Sequence, residues 1–316
     1  MSTVTPFPVL ALIGAVSGSV TAWLLLRRDR PVQVLTPSAP PERVPPEVAA
    51  QLLADERAER LAALGRFAEA ADADPELRQD CADEIVAHLS HYWSDWPAWQ
   101  AQVWEFLLPH LNPTSSTFWP GIDLHVENLT LFCVDLRGCE VRDAVFREVR
   151  FGGDARFDEA VFTGSVSFEG ARFARHAFFG GASFETGADF EDAVFTGTAA
   201  FDRSTAHGQV WFDAARFSAH TDFAATGFGD DVSFDAAGFA GRTSFRGTRF
   251  AADALFTRAR FSGHADFTAA TAAVFDFTGA RARTDVRVLR TWPPAWAPGE
   301  PRRRRPGWWA EVTTPA

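Results

Sequence analysis

The chain has 316 residues with 41 acidic and 30 basic side chains, and every basic one is Arg. This length fits one large or two modest domains, and 47% apolar residues supply ample core. Three cysteines, Cys81, Cys133 and Cys139, are too few and too scattered for a disulfide framework or a cysteine zinc site. Thirty Phe against one Tyr and one Met point to a repeat that reuses one packing residue.

Residues 9–26 form a run of 18 without a charge, about 27 Å of helix, adequate with its flanks to span a bilayer. No basic side chain precedes the run, whereas Arg27, Arg28 and Arg30 follow it. The positive-inside bias predicts a single-pass anchor over 1–30 in the cell membrane, with the N-terminus outside and the bulk of the chain cytoplasmic. A cleaved signal peptide is the competing reading, since Val20-Thr21-Ala22 is small enough for a cleavage site. The basic n-region is missing, however, and Trp23-Leu24-Leu25-Leu26 continues the apolar run. Gly14 and Gly18 make one GxxxG match, a weak signal for helix pairing in a span this rich in small residues.

Six Pro in residues 31–46 read as an extended linker. From 47 to 111 the pattern is helical and predicts a small α-helical subdomain of three helices. The first carries Leu52, Leu53, Leu61, Leu64 and Phe67 near a 3.6-residue period. Asp74-Pro75-Glu76 starts the second, about 75–92, which buries Leu77, Cys81, Ile85 and Leu89. The third begins near Pro97, ends at Pro109 and turns Trp104, Leu107 and Leu108 inward. His88 and His91 share a helical face, but no third residue is spaced to complete a metal site. Residues 112–123 form a connector.

Between 124 and 280 the sequence repeats. Phe recurs every eleven residues from Phe146 to Phe267, twelve times without a miss, and a second series from 151 to 272 is Phe at ten of twelve positions. Only Ala206 and Ala272 break that second series. Upstream the spacing is a strict five, through Val126, Leu131, Leu136, Val141, Phe146 and Phe151. Two residues before each centre stands a small or β-branched side chain, such as Ala155, Ala160 or Val166. On a helix, centres five apart would lie about 140° from each other, so no single stripe results. In an extended segment, positions i and i−2 share a side. Each unit then turns one small residue and one Phe inward and bends. Gly153, Gly164, Gly197, Gly208, Gly241 and Gly263 fall in the six-residue gaps, where positive φ at a corner is expected. Short strands with regular corners wind into an all-β solenoid, because no unit can bury its apolar face alone.

Units such as Ala144-Val145-Phe146-Arg147-Glu148, Ala160-Val161-Phe162-Thr163-Gly164 and Cys139-Glu140-Val141-Arg142-Asp143 resemble the pentapeptide-repeat family, and the alternation of five and six resembles its Phe-rich branch. The resemblance implies a right-handed, quadrilateral β-helix with the central residues inside. The helical segment together with Phe118-Trp119-Pro120-Gly121-Ile122-Asp123-Leu124 resembles membrane-anchored, uncharacterised actinobacterial members. Four units per turn give coils of 22 residues and about seven coils, a rod of roughly 34 Å at ~4.8 Å per layer. Ala206 is then expected to leave a void or dent, and Phe178 and Trp211 to point outward.

With that coil, Glu169, Glu191, Asp213 and Asp235 stack in an acidic column, and Arg150, Arg172, Arg216 and Arg260 in a basic one. Glu169 and Arg172 are three apart, as are Asp213 and Arg216, which would allow local pairing. The repeat region holds 22 acidic and 14 basic groups, so nucleic acid is not expected on the body. Residues 281–316 read as a terminal strand and a Trp/Arg/Pro-rich tail, in which Trp292, Trp296, Trp308 and Trp309 surround four consecutive Arg from Arg302 to Arg305. This composition suits an anionic lipid surface, or the first Trp residues cap the solenoid.

No phosphate-binding Gly loop, GxSxG or metal spacing occurs, and His176, His207, His220 and His264 fall in outward or corner positions. No catalytic, cofactor-binding or metal residue is therefore assigned, and no cofactor or small-molecule partner is expected. The expected function is that of a membrane-tethered scaffold for an unknown protein partner, with homo-oligomerisation open. The alternative comes from the resemblance: some family members inhibit DNA gyrase as acidic mimics of DNA.

Overall fold

The computed structural model describes residues 46–90, 96–132 and 134–314, all within one compact unit, Pro37–Ala316. The candidate span 9–26, most of the linker, His91 and Cys133 lie outside the described residues. Among the described residues no helix is long and apolar enough to cross a membrane.

Four α-helices, not three, open the described chain: α1 (Pro46–Leu52), α2 (Arg57–Ala73), α3 (Arg78–His88) and α4 (Trp96–Leu111). The expected first helix is split at Leu53, where the chain turns and the side chain is 64% exposed. Arg60 holds the break, since its guanidinium donates to the carbonyls of Leu53 and Ala54, the two residues that follow α1. Asp74 caps as expected, accepting from the Glu76 N–H at 3.1 Å, but the cap opens a 3-10 turn, Pro75–Leu77, that leads into α3. Leu77, Cys81, Ile85 and Leu89 are buried. Pro109 does not end α4. It sits in the last turn, where the helix continues to Leu111.

The solenoid begins at Leu124. Its two- and three-residue strands form four sheets, one per side of the coil. The first face begins with Leu124–His125 and Ala144–Val145, the second with Thr130–Leu131 and Arg150–Phe151. The third begins with Val134–Asp135 and Ala155–Arg156, the fourth with Glu140–Val141 and Val161–Phe162. Every pair along the central coils is parallel with a step of 22 residues, as in Arg172↔Val194 and Ala188↔Val210. The first coil is shorter, Leu124 pairing with Ala144, as the strict spacing of five requires. Three faces carry eight parallel strands along the axis, with Val274–Asp276, Arg281–Arg283 and Arg290–Thr291 as their last. The solenoid therefore has about eight turns rather than seven. The eleven-residue period stops at Phe267, and Phe277 takes the next central place ten residues on, buried against Phe256 at 4.9 Å.

Corners differ in kind. In the five-residue gaps the second residue after each centre is left-handed, with φ of 54° to 58° at Glu148, Glu159, Asp192, Ala214 and Ala236, and 66° at Gly170. The N–H of the next residue bonds back to the central carbonyl, as Ala193 does to Phe190 at 3.1 Å, the pattern of a type II turn. None of the six glycines expected at positive φ has it. For five of them, all but Gly153, the reason is contact between coils. A Cβ on Gly197 would lie 2.5 Å from the Arg175 carbonyl oxygen, and one on Gly241 would strike the Ala219 carbonyl.

Inside, the rings form continuous stacks. On the second face Phe151, Phe173, Phe195, Phe217, Phe239 and Phe261 succeed one another at 4.6–5.1 Å with their planes nearly parallel. Rings of the first and third faces meet edge to face, as Phe190 and Phe201 do at 5.4 Å and 89°, the arrangement aromatic quadrupoles favour. On the fourth face Phe162–Phe184 and Phe228–Phe250 stack at 5.3 and 5.2 Å, while Ala206 separates the two pairs. Phe184 and Phe228 consequently stand two layers apart. The substitution Ala206→Phe completes the stack and is expected to raise stability by about 1–3 kcal/mol, read as a higher denaturant midpoint without a change in slope. At Ala272 the gap is relieved by Phe275, whose ring meets Phe250 at 5.9 Å.

Both ends are closed. At the N-terminal end two glutamine side chains replace the missing coil. Gln100, fully buried, donates to the Thr130 and Leu89 carbonyls at 2.9 and 3.0 Å and accepts from the Phe132 N–H at 2.8 Å. Gln79 donates to the Asp123 carbonyl and accepts from the Asp123 N–H. At the other end Trp308–Thr313 pairs antiparallel with Arg281–Arg283 and with Arg302–Arg303. Trp292 stacks on Phe267 and Trp296 leans on Phe277, so these two tryptophans cover the last coil.

Candidate interaction faces of the solenoid

The outward columns are real, but they are knit differently from the expected local pairs. The acidic column of the first face includes Arg147, which lies between Glu127 and Glu169 at 3.3 Å from each. Lower down, Asp213 accepts from the Ser233 hydroxyl and the Asp235 N–H, and Asp235 from Thr257 and Arg258. These are contacts between neighbouring coils. Glu169 does not pair with Arg172, nor Asp213 with Arg216, because the left-handed corner between them turns the chain onto the next face. Each member of such a pair therefore points in a different direction.

Phe178 is half-buried beneath the Arg156 guanidinium, 5.3 Å from its ring centre. Trp211 takes an outward register position between Asp189 and Ser233, yet keeps only 8% of its surface exposed. Outward alternation alone did not foresee that burial.

Arg150, Arg172, Arg216 and Arg260 are exposed on the second face and make no ion pair or side-chain hydrogen bond among the described residues. Pairing places Arg281 directly after Arg260 in the same column. Its continuation into the C-terminal hairpin was not readable from the period, because an antiparallel return strand obeys none.

Several histidines hold backbone, whereas His207 faces the Glu185 carboxylate at 3.0 Å. His88 is packed, its ring nitrogens 2.9 and 3.2 Å from the Glu84 and Leu52 carbonyls. His176 and His264 each accept a backbone N–H from the next coil, Thr198 at 3.1 Å and Leu289 at 3.0 Å. No group of three or more His, Cys, Asp or Glu among the described residues could hold a metal ion. Burial pushes the Cys139 thiol up to about 12, helped by the Asp135 charge, and raises Cys81 further, so neither offers a thiolate at neutral pH.

Among the described residues the surface is recessed at the C-terminal hairpin and beside the early coils. One recess of about 210 Å³ is lined by Arg281, Arg302, Arg304, Trp309, Glu300 and Glu311. Another of about 450 Å³ lies among Asp135, Arg137, Gly138, Asp158 and Glu159. Neither places a nucleophile beside a base.

At the junction of helices and solenoid, Asp123 receives both arms of Arg142, at 2.7 and 2.6 Å, and the Asp143 N–H at 3.1 Å. Burial opposes ionisation of Asp123, but these donors outweigh it and lower its pKa. The pair therefore stabilises the fold above the usual carboxylate range, and this contribution disappears as pH falls through the lowered folded pKa. Asp123→Asn is expected to cost about 1 kcal/mol at neutral pH. Urea titrations should show the difference from the parent shrinking as the solution is acidified below about pH 4.

Short parallel strands on four sides of a ring-filled interior define a β-solenoid repeat protein. The family model for pentapeptide repeats (nine copies) matches residues 132–172 and 157–205, so this part of the chain consists of pentapeptide repeats. No curated protein matches the chain. Among solved structures it is similar to HetL, a pentapeptide repeat protein involved in heterocyst differentiation regulation from the cyanobacterium Nostoc sp. strain PCC 7120. The identity is 14%, over 50% of this chain and 84% of that one, with a TM-score of 0.15.

Proposed function

We propose that this protein is a non-catalytic scaffold for protein–protein interaction, tethered at the cytoplasmic side of the cell membrane by residues 9–26. The observation that carries the scaffold reading is the uniformity of the solenoid: a stacked aromatic interior holds fixed outward columns of charge on a rigid frame, a form suited to presenting surface. The uncharged run ahead of Arg27, Arg28 and Arg30 supports the tether. Acidic mimicry of DNA is less well supported, because Arg147 and Arg258 enter the acidic column and neutralise parts of it.

The test is capture of partners from detergent-solubilised host membranes with the full chain, beside a chain carrying Glu191→Lys and Asp235→Lys and one carrying Arg246→Glu and Arg249→Glu. A discrete partner retained by the parent and lost from one variant supports the scaffold. Absence of any retained protein, or inhibition of gyrase supercoiling by the full chain, would overturn it. Reporter fusions at the two termini test the tether, which requires an external N-terminus and an internal C-terminus.

A further inference from the structure

The outer surface of the second face consists of two columns. One carries Arg150, Arg172, Arg216, Arg260 and Arg281, with Val194 and Gly238 in the intervening coils. In the other, from Gly152 to Ser262, every outward side chain is small: Ala174, Thr196, Ser218 and Ala240. The face is therefore flat apart from its guanidinium groups. The stripe from Arg150 to Arg281 is roughly 29 Å long at about 4.8 Å per coil. Beyond Arg281 the same sheet continues into the C-terminal hairpin, where Glu311 stands opposite Arg281 and Trp309 opposite Arg302 on the outward side, while Ala310 and Val312 turn inward. Arg302 to Arg305 are all exposed and, like the stripe, make no ion pair among the described residues.

We propose that this second face and the hairpin that extends it lie flat against an anionic lipid bilayer. A planar anionic surface can meet every guanidinium of a straight stripe at once, and each can fork onto phosphate oxygens. A duplex nucleic acid curves away from a flat face. A single strand needs stacking platforms, and no aromatic side chain stands outward on this face between Gly152 and Ser262. This docking involves described residues only and stands apart from the tether at 9–26.

The test uses the full chain and two vesicle populations, phosphatidylcholine alone and phosphatidylcholine mixed with phosphatidylglycerol. The readout is the ratio of partition coefficients on the two, which cancels insertion of any apolar segment common to both. At low salt the parent is expected to favour anionic vesicles by at least about tenfold, with the preference falling as sodium chloride is added. The combined variant Arg150→Gln, Arg172→Gln, Arg216→Gln, Arg260→Gln should lose most of that preference. The variant Arg137→Gln, Arg203→Gln, Arg246→Gln, Arg249→Gln removes the same charge from the third and fourth faces and should keep it. Equal partition of the parent onto both vesicles would overturn the proposal, whatever the variants do. So would equal loss in both variants, or binding to duplex DNA or polyglutamate as tight as to anionic vesicles.

Discussion

Phe190→Ala is expected to lower stability by about 3–5 kcal/mol, measured as the loss in unfolding free energy by urea denaturation monitored by circular dichroism. Phe190 lies between Phe168 and Phe212 at 5.0 and 4.9 Å in one stack and meets Phe179 and Phe201 edge to face. Removing it deprives rings above, below and across the axis of a partner at once. The backbone ladder between coils then resists collapse around the space, because each coil is held at a fixed rise by its parallel strands. Phe178→Ala is the control. Its ring lies on the outside under Arg156, so the same truncation should cost under about 1 kcal/mol. Similar losses at the two positions would contradict the assignment of inside and outside.

The second large effect is expected at Gln100. Its amide satisfies the Thr130 carbonyl, the Leu89 carbonyl and the Phe132 N–H from a fully buried position. Gln100→Ala leaves three backbone groups without that partner, at about 1–3 kcal/mol for each one that water does not reach. Because the helices close the open edge of the first coil through this side chain, the loss should emerge as early exposure of that edge. Hydrogen exchange is expected to accelerate at the Phe132 amide well before the central coils respond. Uniform acceleration along the whole solenoid would show instead that the ends and the middle unfold together.

The solenoid was legible because its physics is periodic. A Phe at every eleventh residue, with a small residue two places earlier, admits an extended unit with one buried side and nothing else. The place of each corner was equally legible, but not its chemistry. A left-handed residue ordinarily favours glycine, yet Glu148, Asp192 and Ala214 accept it in the five-residue gaps, while glycine is required where adjoining coils approach each other. Such a requirement depends on a neighbour 22 residues away and leaves no local mark. The same holds for Gln79 and Gln100, which look like ordinary polar positions on helices until the strand edges they satisfy are known. The outward columns could be counted from the period, but not their partners. Arg147 bridges coils to Glu127 and Glu169, whereas three-residue spacing had suggested Arg172 for Glu169.

Closure at both ends has a consequence for how the molecule can assemble. An open stack of parallel strands invites another copy to continue it, and end-to-end polymers result. Here α-helices with two amide hooks occupy one terminus, and a reversed strand with two indoles occupies the other. On the second face the place of a further parallel strand is thus already taken, which hinders extension along that side and favours a ruler of set length. Whatever binds along its sides must match a count of layers that the chain itself has fixed.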